Sequence, residues 1–155
     1  MKFWETVMIR RFGENVKSGI KYTRRAGVYA LLPVNGGILL THQMEPEPEF
    51  QLPGGGVDAG EQPISALHRE VMEETGWTIS NVRRLGAFRR YVFMPEYNLW
   101  AEKVCTVFVA NPVLRRSEPT EVGHSDHIVP ISLAAELVKN PADRSFILQY
   151  VCRNL

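Results

Sequence analysis

The sequence contains little that would cross-link it, carry it into a membrane or attract a polyanion. It has two cysteines, Cys105 and Cys152, which are too few and too far apart for a disulfide framework. Its 18 basic residues are balanced by 17 acidic ones, which argues against nucleic-acid polymers bound through bulk positive potential. No stretch approaches the roughly 18 uninterrupted apolar residues of a membrane helix, and residues 1–5 lack the apolar run of a signal peptide. We therefore expect a cytoplasmic protein without membrane contact, with both cysteines reduced and in the core.

Internal repeats, low-complexity tracts and linkers are also absent from the sequence. With 45% hydrophobic residues, a chain of this length buries roughly two thirds of its unfolded surface. It can therefore form a core without disulfides or a structural metal. The sequence predicts one domain over residues 1–155.

Short apolar, β-branched or aromatic runs bounded by turn residues predict a series of strands. Two of these runs form a hairpin, because Val34-Asn35-Gly36-Gly37 between them supplies residues that adopt the positive φ of a tight turn. The predicted strands cover residues 6–12, 26–33, 38–42, 50–52, 82–93 and 100–110. Helices are predicted over residues 64–75, 133–139 and 142–152, and loops over 13–19, 45–49 and 111–126.

The helix predicted at residues 64–75 carries three acids on one side. At about 100° per residue, Glu70, Glu73 and Glu74 fall within one sector of its surface. Like charges at these spacings destabilise a helix by a few tenths of a kcal/mol per pair, roughly. A hard divalent cation, Mg²⁺ or Mn²⁺, would relieve this repulsion. On these acids alone, a solvated Glu-rich face is the more ordinary interpretation.

Three consecutive glycines before this helix favour a ligand site. Gly54, Gly55 and Gly56 cost backbone entropy unless unusual φ angles or the close approach of a ligand require them. Their amides are candidates for binding phosphate oxygens. The segment that follows brings Glu61 near the start of the helix, where it can pair with Arg69.

Together these residues form a complete Nudix box, G-x5-E-x7-R-E-U-x-E-E-x-G-U, in which U is apolar. Its fixed positions are occupied, at the correct intervals, by Gly55, Glu61, Arg69, Glu70, Glu73, Glu74 and Gly76. The last apolar position holds Trp77, where an aliphatic residue is usual. The chain therefore resembles the Nudix hydrolases, and the order of elements around the box extends the resemblance over most of its length.

The resemblance implies an α/β protein, an α/β/α sandwich with a mixed β-sheet, and hydrolysis of a pyrophosphate linkage in a nucleoside diphosphate derivative. In the family, carboxylates matching Glu70, Glu73 and Glu74 hold divalent ions, which screen the pyrophosphate charge and lower the pKa of an attacking water. Glu70 is the first candidate for the general base. Some members take the base from a loop after the box, where Glu118 and Glu121 lie in this chain. The alternative for both is a plain solvated turn.

The resemblance also suggests roles for basic residues. Arg69 matches an arginine that orients Glu61 or a metal-binding glutamate, a task suited to its planar fork. Arg24 and Arg25 begin the strand before the hairpin, where family members often contact the substrate. An ordinary surface position is the alternative for this pair.

Aromatic and histidine residues after the box have mainly structural interpretations. The aromatic residues are dense enough to include a base-stacking platform, but strand aromatics are usually core: Phe88, Tyr91, Phe93, Tyr97 and Trp100. The segment His124-Ser125-Asp126-His127 is interpreted as a solvated loop rather than a metal site.

The sequence does not identify the substrate. Pro95, Tyr91 and Tyr97 are each displaced from the positions that mark the ADP-ribose and dinucleoside polyphosphate types, and the array of the NADH type is absent. This modestly favours a nucleoside triphosphate or a modified nucleotide as the small-molecule partner. The alternative from another class is an idle Nudix fold that senses nucleotides or binds proteins, against which the intact acids argue. A monomer and a homodimer are both compatible with the sequence.

Overall fold

The computed structural model describes residues 9–154, which form two β-sheets and three α-helices. The strands are β1 (Arg10–Gly13), β2 (Thr23–Leu31), β3 (Pro33–Val34), β4 (Gly37–Gln43), β5 (Glu49–Gln51), β6 (Gly54–Gly56), β7 (Trp77–Met94), β8 (Leu99–Arg115) and β9 (His124–Pro130). The helices are α1 (Pro63–Thr75), α2 (Ile131–Leu137) and α3 (Pro141–Asn154), and a 3-10 turn, Pro95–Tyr97, connects β7 to β8. None of these three helices is long and apolar enough to cross a membrane.

The larger sheet is mixed and has the strand order β1-β7-β8-β2-β6. β1 runs parallel to β7 and β2 runs parallel to β8, whereas the β7–β8 and β2–β6 pairs are antiparallel. In the smaller sheet, β4 pairs antiparallel with β3, β5 and β9. β5 and β6, the two strands that precede the box helix, thus belong to the smaller and the larger sheet, respectively.

The helices pack on opposite sides of the sheets because successive strand residues face opposite ways. On β4, Leu39 belongs to the apolar cluster under α1, whereas its neighbours Ile38 and Leu40 belong to the cluster under α2 and α3. α1 contributes Leu67 and Val71 to its cluster, both fully buried. This arrangement is the α/β/α sandwich with a mixed sheet that the resemblance implies, and the fold prediction is confirmed.

The predicted hairpin is confirmed at its turn but not along its first strand. β3 pairs with Gly37 and Ile38, and the turn residues Asn35 and Gly36 have φ angles of 49° and 75°. Residues 23–31, however, pair with β6 and β8 in the larger sheet. They carry apolar residues on both faces, which suits a buried strand with partners on both edges.

The loop predicted at residues 111–126 is too long at both ends. β8 continues to Arg115, and β9 begins at His124 and pairs with β4 from Gln43↔His124 to Gly37↔Pro130. β9 forms because β4 supplies its partner, although its own sequence contains almost no apolar residue before Ile128. Of the predicted strand at residues 6–12, residues 6–8 lie outside the described part of the chain.

The two cysteines differ in their surroundings. Cys105 is buried in the core, as predicted. Cys152 is exposed, so the prediction of a core thiol is wrong there. The buried face of α3 includes Phe146 and Ile147. This face continues at positions three and four residues later along the helix, and residue 152 is not one of them.

Candidate active site

The box helix begins and ends where its local sequence predicts. Pro63 lies in the first turn, where its missing amide hydrogen costs nothing. At the other end Gly76 has a φ of 76° and its amide donates to the Met72 carbonyl at 2.9 Å. A side chain at Gly76 would collide with the backbone oxygen of Ser117. The glycine therefore ends the helix and lets the loop after β8 pass directly over it.

Arg69 binds the acids of the box together. Its Nε and Nη2 atoms donate to the two oxygens of Glu61, each at 2.8 Å, and Nη2 also donates to the Gly56 carbonyl at 3.1 Å. Nη1 donates to Glu70 Oε1 at 3.0 Å and to Glu73 Oε2 at 3.3 Å. The hydrogen bonds from Arg69, followed by one from the Asp58 amide, lower the pKa of Glu61 to about 2. The Glu61–Arg69 pair predicted from the sequence is present.

Three carboxylates come together beside this arginine. Oxygens of Glu70, Glu73 and Glu121 all lie within 4.8 Å of one another. Glu121 reaches the cluster from the loop after β8, because the amides of Thr120 and Glu121 both donate to the Glu73 carbonyl at 2.9 Å. The Glu70 side chain is 12% exposed, and burial is the main cause that raises its pKa.

Glu74 occupies the buried side of the same region. Its side chain is 5% exposed, and Oε2 lies 3.3 Å from His124 Nδ1. Burial raises the pKa of Glu74 well above its ordinary value, with further contributions from the negative charges of Glu121 and Glu70. Of the three acids predicted on the helix, Glu70 and Glu73 thus share a cluster with a loop acid, and Glu74 lies beneath it.

His124 is a site residue that the sequence interpretation missed. The predicted solvated loop is part of β9, and the ring of His124 is turned inward toward Thr41 and Glu74. No local sequence signal marks this strand, because all four residues are polar; only in the structure do the partly buried His124 and Asp126 alternate with the exposed Ser125 and His127. That period of two is typical of a strand.

Asp126 explains the unusual Trp77 of the box. The indole Nε1 of Trp77 donates to Asp126 Oδ2 at 3.2 Å, and Arg115 donates to both oxygens of the same carboxylate at 2.8 and 2.9 Å. Burial opposes ionisation, but the hydrogen bonds from Arg115 and then Trp77 lower the pKa of Asp126. Trp77 therefore provides a polar link between the end of the box and β9.

The three glycines form a strand rather than a loop. β6 pairs with residues 27–29 of β2. A Cβ atom at Gly55 would lie 2.6 Å from the carboxyl carbon of Glu70, so the glycine lets this acid lie against the sheet. The backbone of Gly54 acts to lower the pKa of Glu74, against the larger effect of burial. The structure thus gives Gly54 and Gly55 a role in placing the acids, and phosphate binding by this segment stays a prediction.

The acidic cluster suits a hard divalent cation. Its donors are all carboxylate oxygens, which Mg²⁺ and Mn²⁺ prefer over soft metals. Repulsion from Glu73 and Glu121 contributes to the raised pKa of Glu70, and a bound cation would relieve it. These residues therefore fit the ion that the resemblance implies.

A cleft of about 570 Å³ lies next to the box. It is lined by Arg24, Arg25, Ala26, Gly56, Val57, Asp58, Ala59, Met94, Glu96, Tyr97 and Lys103. Arg69 connects this wall to the acids, because it contacts Gly56 and Asp58 as well as Glu70. The guanidinium of Arg25 lies 4.4 Å from the ring centre of Tyr97, and Arg24 donates to Glu102 at 3.3 Å.

The aromatic residues divide between core and surface. Phe88 is buried, as predicted, but Tyr97 is 57% exposed and Phe93 is also exposed, so a core position is wrong for these two. Tyr91 and Trp100 are half-buried. Tyr97 is exposed because it lies in the short turn between β7 and β8 rather than within a strand.

Comparison with known proteins gives one family throughout. The NUDIX domain model matches residues 21–150. An RNA pyrophosphohydrolase of Halorhodospira halophila is 38% identical over 68 residues, or 44% of the chain. A Bacillus subtilis protein whose provisional name is 8-oxo-dGTP diphosphatase is 40% identical over 53 residues, or 34% of the chain. The chain spans 38% and 36% of the lengths of these two relatives.

Solved structures show the same fold at low identity. A NUDIX hydrolase from Nitrosomonas europaea superposes with a TM-score of 0.69 at 18% identity, covering 84% of this chain and 90% of that chain. A MutT NUDIX hydrolase from Burkholderia pseudomallei gives a TM-score of 0.64 at 22% identity, covering 82% and 98%. At such identities the likeness establishes the arrangement of the backbone.

Proposed function

The chain belongs to the NUDIX family, and on that premise we propose that it hydrolyses a pyrophosphate linkage in a nucleoside diphosphate derivative with Mg²⁺ or Mn²⁺ as cofactor. One observation carries the proposal. The carboxylates of Glu70, Glu73 and Glu121 converge beside a cleft whose walls carry basic side chains. Acidic side chains that could hold a cation and basic side chains that could bind phosphates thus lie on either side of Arg69.

Each acid has a proposed part in the reaction. The ion, held by Glu70, Glu73 and Glu121 with Glu74 beneath them, would screen the pyrophosphate charge and lower the pKa of the attacking water. Glu70 accepts the proton of that water, and Glu121 is the alternative base, since its carboxylate lies in the same cluster. Glu118 is 84% exposed and pairs with Arg115, so it has no part in the proposal. Arg69 holds Glu61, Glu70 and Glu73 in their places.

The substrate is proposed to lie in the cleft beside the box. Arg24 and Arg25 bind phosphate oxygens, for which guanidinium groups are well suited. The ring of Tyr97, exposed and next to Arg25, offers a surface on which a base can stack. The amides of Gly54–Gly56 remain candidates for the phosphate that faces the acids. A nucleoside triphosphate or a modified nucleotide is the substrate class we favour.

A panel of substrates tests the proposal. The full chain is incubated with nucleoside triphosphates, oxidised nucleotides, nucleotide conjugates and a 5′-triphosphorylated RNA oligonucleotide, each with Mg²⁺ or Mn²⁺, and products are identified by mass spectrometry. The RNA is included because relatives are named RNA pyrophosphohydrolase. We expect cleavage between phosphates in at least one small nucleotide. Binding without turnover of any member would support the idle-module alternative, and preferred cleavage of the RNA would replace the small-nucleotide assignment.

The cellular location and the oligomeric state of the protein are also proposals. We expect the reaction to take place in the cytoplasm, as the composition suggests. The small nucleotide is the proposed partner, and both a monomer and a homodimer are compatible with a cleft formed within one chain.

A further inference from the structure

One histidine ring lies between the buried acid and the loop acid. His124 is the first residue of β9, and its side chain is 10% exposed. Its Nδ1 atom lies 2.8 Å from Thr41 Oγ1 and 3.3 Å from Glu74 Oε2. On the opposite edge of the ring, Nε2 lies 3.8 Å from Glu121 Oε1. The two nitrogens therefore face two different acids.

The Nδ1 side of the ring is held by two other elements. Thr41 is a buried residue of β4, and its hydroxyl also lies 3.3 Å from the Glu74 carbonyl oxygen at the end of α1. The backbone adds a further constraint, because β4 and β9 pair through Gln43 and His124. Since these contacts fix the Nδ1 side of the ring, Nε2 faces the loop because of the sheet and not because of a contact made by the loop.

Glu121 depends on outside support for its position. It comes from a loop, its side chain is half-exposed, and its neighbours in the cluster are the negatively charged Glu70 and Glu73. Hydrogen bonds to the Glu73 carbonyl and from the His124 amide fix its backbone, but they do not fix its carboxylate. At 3.8 Å, Nε2 is too far from the Glu121 carboxylate for a direct hydrogen bond, but a hydrogen on Nε2 would be close enough to attract it.

We propose that His124 is a positioning residue of the cation site, which holds the Glu121 carboxylate in the cluster through Nε2. The inference rests on the proposed function, because it assumes that the cluster binds a divalent ion. Groups behind the ligands of metal sites orient them, and their loss typically weakens metal binding by about 10- to 100-fold. His124 would act in this way through Glu121, without contact with the substrate.

Two substitutions separate this role from a packing role. The side-chain nitrogen of asparagine can replace Nδ1, and that of the longer glutamine can reach the place of Nε2. His124→Asn therefore keeps the contact with Thr41 and loses the one with Glu121, whereas His124→Gln restores a polar group facing Glu121. Mn²⁺ binding to the full chain, without substrate, is followed by the electron paramagnetic resonance signal of the free ion, and melting curves establish that each variant is folded.

We expect His124→Asn to bind Mn²⁺ about 10- to 100-fold more weakly than the wild type and His124→Gln to bind nearly as well as the wild type. His127→Asn is the matched control on the same strand, since its ring contacts Ser125 and is exposed; its affinity should be unchanged. Glu121→Gln should also weaken binding, and adding His124→Asn to it should cause little further loss, because the two residues act as a unit.

Wild-type affinity in His124→Asn, weak binding in His124→Gln, or additive losses in the double variant would each overturn the inference. If the Asn variant does not fold, His124→Phe, which keeps the ring and removes both nitrogens, takes its place with the same expected weakening. Failure of the wild type itself to bind Mn²⁺ would reject the proposed function together with this inference. Normal wild-type binding with unaffected variants would reject the inference alone.

Discussion

The guanidinium of Arg69 donates hydrogen bonds to three carboxylates and one backbone carbonyl of the box. Its paired bonds to Glu61 use the fork geometry that a lysine ammonium lacks. The remaining donors reach Glu70 and Glu73, so the arginine offsets part of the repulsion between these acids while leaving their other oxygens free. The site is therefore an acidic cluster whose carboxylates are positioned by the guanidinium of Arg69.

Replacing Glu70 with glutamine tests the role of the first acid in this cluster. We expect Glu70→Gln to lower kcat by about 10²- to 10⁴-fold, the usual contribution of a general base. The fold should persist, because the substitution removes a charge that burial and two neighbouring acids already disfavour. Initial rates with Mg²⁺ and melting curves measure the two effects. Glu118→Gln, on an exposed acid of the loop, is the control, and a wild-type rate in Glu70→Gln would remove the site assignment.

Asp143 predicts a pH dependence of stability that is separate from the active site. Its carboxylate is buried in the first turn of α3 and accepts a hydrogen bond from the Leu52 amide at 3.1 Å. Burial raises its pKa to about 7. Because the pKa of Asp143 is higher in the folded state than in the unfolded one, the ionised carboxylate destabilises the fold. This destabilisation is complete above pH 7 and disappears as the pH falls toward about 4.

The corresponding variant is Asp143→Asn, which keeps an oxygen for the Leu52 amide. Its free energy of unfolding relative to the wild type should increase from pH 4 to pH 8, by at most about 4 kcal/mol. Denaturant unfolding at both pH values measures the change. Glu136→Gln, at an exposed position of α2, should show no such trend, and a relative stability that is flat or falls with pH would contradict the assignment.

At the scale of elements, the active site depends on a loop that closes over the end of a helix. The segment after β8 is fixed to α1 by hydrogen bonds from Arg116 to Gly76 and from Thr120 and Glu121 to Glu73. The same contacts deliver Glu121 to the helix acids. Local order in this loop is therefore a condition for the cluster to form.

Gly76 allows this close contact, which Gly76→Ala tests. The substitution should lower the free energy of unfolding by more than the roughly 1–2 kcal/mol of a left-handed residue, because the new methyl would also meet the Ser117 backbone. Gly60→Ala is the matched control, since Gly60 has nearly the same φ, 78°, and open space around it. Equal losses in the two variants, measured by chemical denaturation, would show that the contact with Ser117 carries no weight.

The elements that the sequence predicts well are those whose signals are local. α1 has its proline, its apolar stripe and its closing glycine within one short segment, and its bounds agree with the prediction. β9 has no such signals, because its pairing with β4 is made between residues more than eighty positions apart. The inward orientation of His124 depends on this distant pairing, and the contribution of Glu121 to the cluster depends on hydrogen bonds between its loop and the Glu73 carbonyl. Sequence spacing could identify the helix acids, whereas the resemblance offered both Glu118 and Glu121 as loop acids and could not distinguish between them.

At the scale of the whole molecule, the distribution of charge matters more than its sum. The formal net charge is +1, yet basic side chains line the cleft and acidic ones gather at the end of α1. A phosphate chain in the cleft would lie between these two regions and join them through a cation. Under the proposed function, binding of a nucleotide depends on where these side chains lie and not on the net charge.

Removal of divalent ions tests this arrangement directly. We expect turnover of the best substrate in the panel to stop in excess EDTA and to return when Mg²⁺ or Mn²⁺ is added beyond the chelator, because the site offers oxygen ligands alone. The melting temperature should change little, since the core consists of apolar side chains and does not include the acids of the site. Undiminished turnover in EDTA would contradict the cation site.

We expect water to attack phosphorus in a pyrophosphate linkage held between the acids and the cleft. Hydrolysis of the best substrate in ¹⁸O-labelled water, with Mg²⁺ present and products analysed by mass spectrometry, shows which bond is broken. The label should enter a phosphate product, and every carbon–oxygen bond of the substrate should stay intact. Label found on carbon, or a best substrate without a pyrophosphate linkage, would contradict this expectation.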